Sequence, residues 1–119
     1  MAIKLPQLPE PDPTERGPFV VIAKHRAVPD AADRLEERML ADLADTRAEH
    51  GCLQFHIHRD RADRNLFVIY EIWRDVEALK AHFVTDYVRT FVRESAPFEA
   101  GDMEVQFLTM SSPYAVGQA

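Results

Sequence analysis

The eight residues Leu66 to Trp73, LFVIYEIW, constrain this chain more than any other stretch, because apolar or aromatic side chains occupy nearly every position. Successive side chains of a β-strand point to opposite faces, so a strand of this composition is buried on both sides. One layer of helices covers only one side. The pattern then changes: Arg74 and Asp75 punctuate the chain, Asp75 has the chemistry of a helix N-cap, and Val76, Leu79 and Phe83 follow at helical spacing. The strand brings Glu71 and Trp73, and the helix brings His82, toward one pocket wall.

Upstream, residues 1–18 hold five of the eight prolines, which predicts an extended, irregular arm, either a loose tail or a strap across a partner subunit. Phe19 to Ala27, FVVIAKHRA, reads as a first strand with His25 at its polar exit. Asp30 is the expected cap of a single amphipathic helix running from Ala31 to about His50, with Leu35, Met39 and Leu43 inward and a solvated charged surface without chemistry. Gly51 is expected to end it in the left-handed conformation. Cys52 to Arg59 is a second strand with Leu53, Phe55 and Ile57 on one face and Gln54, His56 and His58 on the other, and Asp60 to Asn65 is a hairpin loop. Two histidines on one face are not a metal site without further ligands, so no metal is expected. Thr85 and Asp86 break and recap the helix, Tyr87 to about Ser95 continues it with Val88, Phe91 and Val92 inward, and Pro97 stops it. Met103 to Met110 alternates as a last strand, with Met103, Val105 and Phe107 on one side.

These elements fit one domain, residues 19–111, between the arm and a tail at 112–119. At 119 residues and 46% hydrophobic content the chain supports one ordinary core. A net charge of -6 without a basic run argues against nucleic acid or an anionic membrane as partner. A single cysteine, Cys52, and the lack of a signal-peptide or membrane-length apolar run point to the cytoplasm.

The order strand, helix, strand, strand, helix, strand is the split βαβ or ferredoxin-like plan: an α+β fold with a four-stranded antiparallel sheet and helices on one face. The second sheet face of such a domain normally alternates toward polar residues, yet here it carries Val20, Ile22, Leu66, Val68 and Ile72. A second copy packed sheet to sheet is the simplest cover, so a homodimer is expected.

The segments GCLQFHIHRD, LFVIYEIWRDVEALKAHF and TDYVRTF resemble the antibiotic-biosynthesis-monooxygenase-like proteins, including small bacterial quinol monooxygenases. The similarity spans roughly Phe19 to Met110 and is most specific from Tyr70, Glu71 and Trp73, through Asp75 and Ala78-Leu79, to His82. It implies a dimeric α+β barrel, a pocket between sheet and helices, and electron-rich phenol or quinol substrates used with O2 and no cofactor. It further implies that Trp73 lines that pocket and that His82 reaches toward it. Two departures stand out. The asparagine near the pocket of the oxygenases and haem-degrading relatives has no counterpart, since the only asparagine is Asn65 at the hairpin, and the usual Thr-Pro-His is Thr85, Asp86 and Tyr87.

Cofactor-free oxygenation needs a base, an oxyanion partner and an aromatic wall. His82 is the candidate base, with an ordinary pKa near ~6.5. Trp73 and Phe83 are candidate walls, Tyr70 or Tyr87 candidate oxyanion donors, and Glu71 a candidate for orienting His82. Phe55 and His25 complete the candidate substrate contacts. Two other functions fit the same residues: an isomerase or degrading enzyme for a small carbonyl-containing signal or metabolite, and a non-catalytic dimeric module that binds a small ligand. No dinucleotide fingerprint or phosphate loop is present.

Overall fold

The computed structural model describes residues 5–15 and 17–115, so Gly117, assigned above to the tail, lies outside the described residues. Four strands, β1 (Phe19–Arg26), β2 (Cys52–Arg59), β3 (Leu66–Trp73) and β4 (Glu104–Thr109), form one antiparallel sheet in the order β2-β3-β1-β4. Helices α1 (Ala32–Ala41), α2 (Leu43–Arg47), α3 (Val76–Phe83) and α4 (Asp86–Ser95) and a 3-10 turn (Ala96–Phe98) complete the ferredoxin-like α+β plan. The doubly apolar β3 lies inside the sheet, between β1 and β2.

The core lies between sheet and helices, where Phe67, Trp73, Leu35 and Leu79 are fully enclosed. Each such side chain contributes about 1.5–3 kcal/mol through removal of apolar surface from water. Helix starts follow side-chain chemistry: the Ala78 N–H donates to Asp75 Oδ1 (2.9 Å) and the Val88 N–H to Thr85 Oγ1 (3.3 Å).

Four local expectations are corrected. Asp30 is not a cap; it sits at φ 67° in a turn closed by the Ala31 N–H on the Val28 carbonyl (3.1 Å), and Ala31 precedes α1 without a side-chain cap bond. Pro29 fixes the preceding φ and an aspartate tolerates the left-handed position that follows. The long first helix is two helices, broken at Asp42 (φ -101°, ψ 4°). Gly51 does not have positive φ; a Cβ there would stand 2.3 Å from the Ala78 Cβ, so glycine is required by close packing of α3. Leu53 is not on the inward face, because a bulge between Cys52 and Gln54 turns it outward, 41% exposed.

On the other sheet face Val20 and Ile72 are buried, Ile22, Leu66, Val68 and Tyr70 are half-buried and Leu108 is exposed. Gln54 on this side reaches the Tyr114 hydroxyl of the C-terminal segment (3.5 Å). In the proline-rich arm, Leu8 packs against the core of its own domain, and Thr109 Oγ1 donates to Glu15 Oε1 (3.1 Å).

Candidate active site

A cavity of about 80 Å³ lies between sheet and helices. Its sheet side is Val21, Ala23, Phe55, Ile57, Ile69 and Val105; its helix side is Met39, Phe83, Val88, Phe91 and Val92. Leu5 of the arm and Met103 complete the apolar lining, and the polar members are His25, Asp42, Thr46, Glu71, His82 and Tyr87. Pockets for drug-sized ligands occupy roughly 300 Å³ or more, so this one suits a compact ligand.

His82 is 6% exposed on the last turn of α3, and its Nδ1 lies 2.6 Å from Glu49 Oε2. With Nδ1–H donating to that carboxylate, the lone pair of the neutral ring is on Nε2, which has no hydrogen-bond partner among the described residues. Nor is Nε2 sealed away, because no fully buried side-chain nitrogen or oxygen among the described residues lacks a partner. Burial lowers the His82 pKa below the usual histidine value, and the hydrogen bond and charge of Glu49 oppose that shift. The imidazole is therefore neutral at pH 7, the form that can accept a proton. The Tyr87 hydroxyl lies 3.4 Å from the same Nδ1, a nitrogen already committed to Glu49, which leaves its O–H free to donate elsewhere.

Glu71 borders the cavity from β3 and is 6% exposed. It does not orient His82. Its Oε1 accepts from Trp73 Nε1–H (2.9 Å), and desolvation pushes its carboxyl pKa up to about 7, against the Trp73 hydrogen bond and helped by the Glu49 charge. The orienting carboxylate is Glu49, in the turn between α2 and β2, within the stretch read above as a solvated helix face without chemistry.

Trp73 is fully buried and is absent from the cavity surface; its ring stacks behind His82 with centroids 4.7 Å apart at 39°. It backs the His82 ring and does not line the cavity. Tyr70 pairs with Ile22 and His56 and belongs to the opposite sheet face, away from the cavity. Phe55, Phe83, Tyr87 and His25 do border the cavity, so it gathers six of the eight candidates: His82, Glu71, Phe55, Phe83, Tyr87 and His25.

Asp42 and Thr46 were not anticipated as lining residues, and they arrive because the chain breaks at Asp42 and α2 packs on β2. Cys52 is no nucleophile at neutral pH, since burial and the charges of Glu49 and Glu71 push its thiol up to about 11. His56 and His58 are exposed, their rings 6.4 Å apart, and no cluster of three potential metal ligands occurs among the described residues.

Relatives share this fold. The PA3566 protein of Pseudomonas aeruginosa is 35% identical, with a TM-score of 0.77 over 82% of this chain and 97% of its own. Rv0793 of Mycobacterium tuberculosis is 26% identical, with a TM-score of 0.76 over 82% and 99%. An uncharacterised protein of Synechocystis is 29% identical over 101 residues, 85% of this chain and 69% of the relative. The sequence profile of antibiotic biosynthesis monooxygenases matches residues 18–94, and the chain belongs to that family.

Proposed function

We propose that this protein is a cofactor-independent monooxygenase acting on a small quinol-like or polyphenolic substrate with O2. The observation that supports this reading most directly is the His82–Glu49 pair beside an otherwise mostly apolar cavity. A neutral imidazole with a free Nε2 takes a phenolic proton, and Glu49 stabilises the imidazolium that forms. The resulting anion is electron-rich enough to pass one electron to O2, and recombination of the radical pair forms a C–O bond to the ring. Loss of the ring proton and cleavage of the O–O bond leave one oxygen atom on the ring and release the other as water. Quinol plus O2 thus gives hydroxyquinone plus water, and no further reductant enters.

In this reading Tyr87 donates to the phenolate oxygen and Phe55 and Phe83 flank the ring, which is supported by all three bordering the cavity. An apolar lining keeps water from the radical pair. We further infer that the working form is a homodimer through the second sheet face, where half-buried Ile22, Val68 and Tyr70 lie beside exposed Leu108.

One observation favours the isomerase reading. Glu71, with its pKa near neutrality, stands in the same cavity as a neutral histidine, an acid and a base suited to moving a proton beside a carbonyl. Oxygen uptake by the purified protein with a panel of reduced quinols separates the two. Uptake above autoxidation that falls in His82→Ala supports the oxygenase, and none with any quinol overturns it.

A further inference from the structure

The cavity is bordered by a second histidine held by a carboxylate, which the chemistry above does not use. His25 is 3% exposed at the end of β1, and its Nδ1 pairs with Glu99 Oε1. Ser95 Oγ–H donates to the other carboxylate oxygen, Glu99 Oε2 (2.8 Å), and Ser95 and Glu99 are 0% and 8% exposed. The Ala27–Glu99 β-bridge and the Ala100 N–H bond to the Arg26 carbonyl (2.7 Å) tie this turn to the end of β1. The His25 ring is further fixed by Phe91, edge-on at 6.0 Å. A buried ionisable pair costs desolvation that an apolar pair would avoid, so its place at a ligand-sized cavity calls for a purpose.

Its position relative to His82 follows from the register. The His82 ring packs on Phe55 and Trp73, whose strand neighbours on β1 and β3 are at the level of Val21 and Phe19. His25 is four residues beyond Val21 on the same strand face, about 13 Å along the sheet. Both imidazoles use Nδ1 on a carboxylate, and neither Nε2 has a hydrogen-bond partner among the described residues. Between them the sheet floor of the cavity is Val21, Ala23 and Ile69, with Glu71 beside Val21 at the His82 end.

We propose that His25 is the polar contact of the substrate's second oxygen, so that the cavity selects an aromatic nucleus carrying oxygens at opposite ends. One oxygen meets His82 and the other meets His25, with the ring on the apolar floor. Glu99 and Ser95 act as positioning residues that hold the imbidazole by Nδ1 and turn Nε2 to the ligand. This rests on the quinol reading and sharpens it: a 1,4-diphenol is preferred to a 1,2-diphenol or a monophenol.

The test is anaerobic calorimetric binding of hydroquinone, catechol and phenol to the wild-type protein, His25→Gln and Glu99→Gln, with circular dichroism to verify folding. Wild type binds hydroquinone about 10-fold tighter than phenol or catechol, the worth of one good hydrogen bond to an ionisable partner. In His25→Gln the hydroquinone preference falls to within about 3-fold, with phenol affinity unchanged, and Glu99→Gln moves the same ratio part of the way. A folding defect lowers all three affinities together and leaves the ratio intact, so a retained ratio in a folded His25→Gln overturns the proposal. So does equal wild-type affinity for catechol and hydroquinone. Selective, His25-dependent binding without oxygen uptake under air sustains the anchor and sinks the oxygenase. Uptake that is indifferent to His25 does the reverse, and a wild-type protein that binds no hydroquinone overturns both.

Discussion

Glu49 Oε2 and His82 Nδ1 stand 2.6 Å apart although 33 residues separate them in the chain, and this contact decides which imidazole nitrogen is available for chemistry. A carboxylate on Nδ1 fixes the tautomer and ring orientation and favours the protonated ring once a proton has been taken. Replacing Glu49 by glutamine keeps an acceptor but removes the charge that opposes the burial-driven fall in the His82 pKa. Glu49→Gln is expected to lower kcat by ~10-fold or more, within the range of a general-base contribution, with little change in KM. The acid limb of the pH–rate profile moves to lower pH, because the imidazole without its anion loses its proton more readily. A limb that stays in place or moves upward is incompatible with this role of Glu49.

His82→Ala removes the proposed base and is expected to cost ~100-fold or more in turnover of a quinol, again within the general-base range. Because Trp73 stacks behind the ring at 4.7 Å, its fluorescence provides an independent readout of the site. Trp73→Phe keeps an aromatic backing while freeing Glu71 of its hydrogen bond. Its effect is expected on the pH dependence more than on the maximal rate. A rate loss as large as that of His82→Ala would place Trp73 among the groups that touch the substrate.

The fold was legible because each element has a periodic signature: β3 by its continuous apolar run, α3 and α4 by Asp75 and Thr85 ahead of helical spacing. The carboxylates that hold the two histidines were not. Glu49 sits in a turn and Glu99 just past a 3-10 turn, 33 and 74 residues from their partners, and no local pattern encodes such contacts. The one available signal was position, since a charged residue in a short helix-to-strand connection is where functional side chains concentrate. The misreading of Gly51 has a similar origin. A glycine after a helix suggests a left-handed cap, whereas the actual reason is the Ala78 side chain of a helix much later in the chain. Trp73 does not reach the cavity surface that the family resemblance implies for it, because the strand alternation that aligns it with Glu71 places it one residue pair farther along, beneath His82.

Stability should depend on pH through two buried groups with opposite signs. The raised carboxyl of Glu71 gives stability that is full below its unfolded value of 4.5 and is lost as pH rises through about 7. The lowered imidazole of His82 gives stability present above its unfolded value of 6.5 and lost as pH falls below it. Glu71→Gln mimics the protonated acid and can still accept from Trp73. Relative to wild type it should gain stability between pH 5 and 8, on the order of 3 kcal/mol at full effect, because folding raises the wild-type carboxyl to about 7. Denaturant melts at both pH values measure it, and a constant difference across the range would show that Glu71 does not titrate there.

Gly51 and Ala78 form a size-matched pair. Adding a methyl at Gly51 places it 2.3 Å from the Ala78 Cβ, so α3, which carries His82, must move. Gly51→Ala is expected to cost about 1–3 kcal/mol, the usual range for overpacking, and to reduce activity as well. The double variant Gly51→Ala with Ala78→Gly relieves the clash but carries the ~1 kcal/mol helical cost of glycine. It should therefore recover activity more fully than stability. Loss of both in equal measure would mean that the close approach is not what positions His82.

The second sheet face gives the last test. Val20 and Ile72 on it are buried within one chain, but Ile22, Val68 and Tyr70 are only half covered and Leu108 is 41% exposed. In the proposed homodimer this face is covered by a second copy of the 13.6 kDa chain, and light scattering should then give a mass near twice that value. Val68→Lys places a charge in the middle of the face, on β3, without touching the cavity. Burying an unpaired ammonium between two sheets is strongly unfavourable, so the variant should be a folded monomer with an intact circular-dichroism spectrum. If the wild-type protein is itself monomeric at micromolar concentration, the face has no second copy to cover it and the homodimer is wrong. If Val68→Lys separates the chains yet leaves quinol turnover intact, the site is complete within one chain.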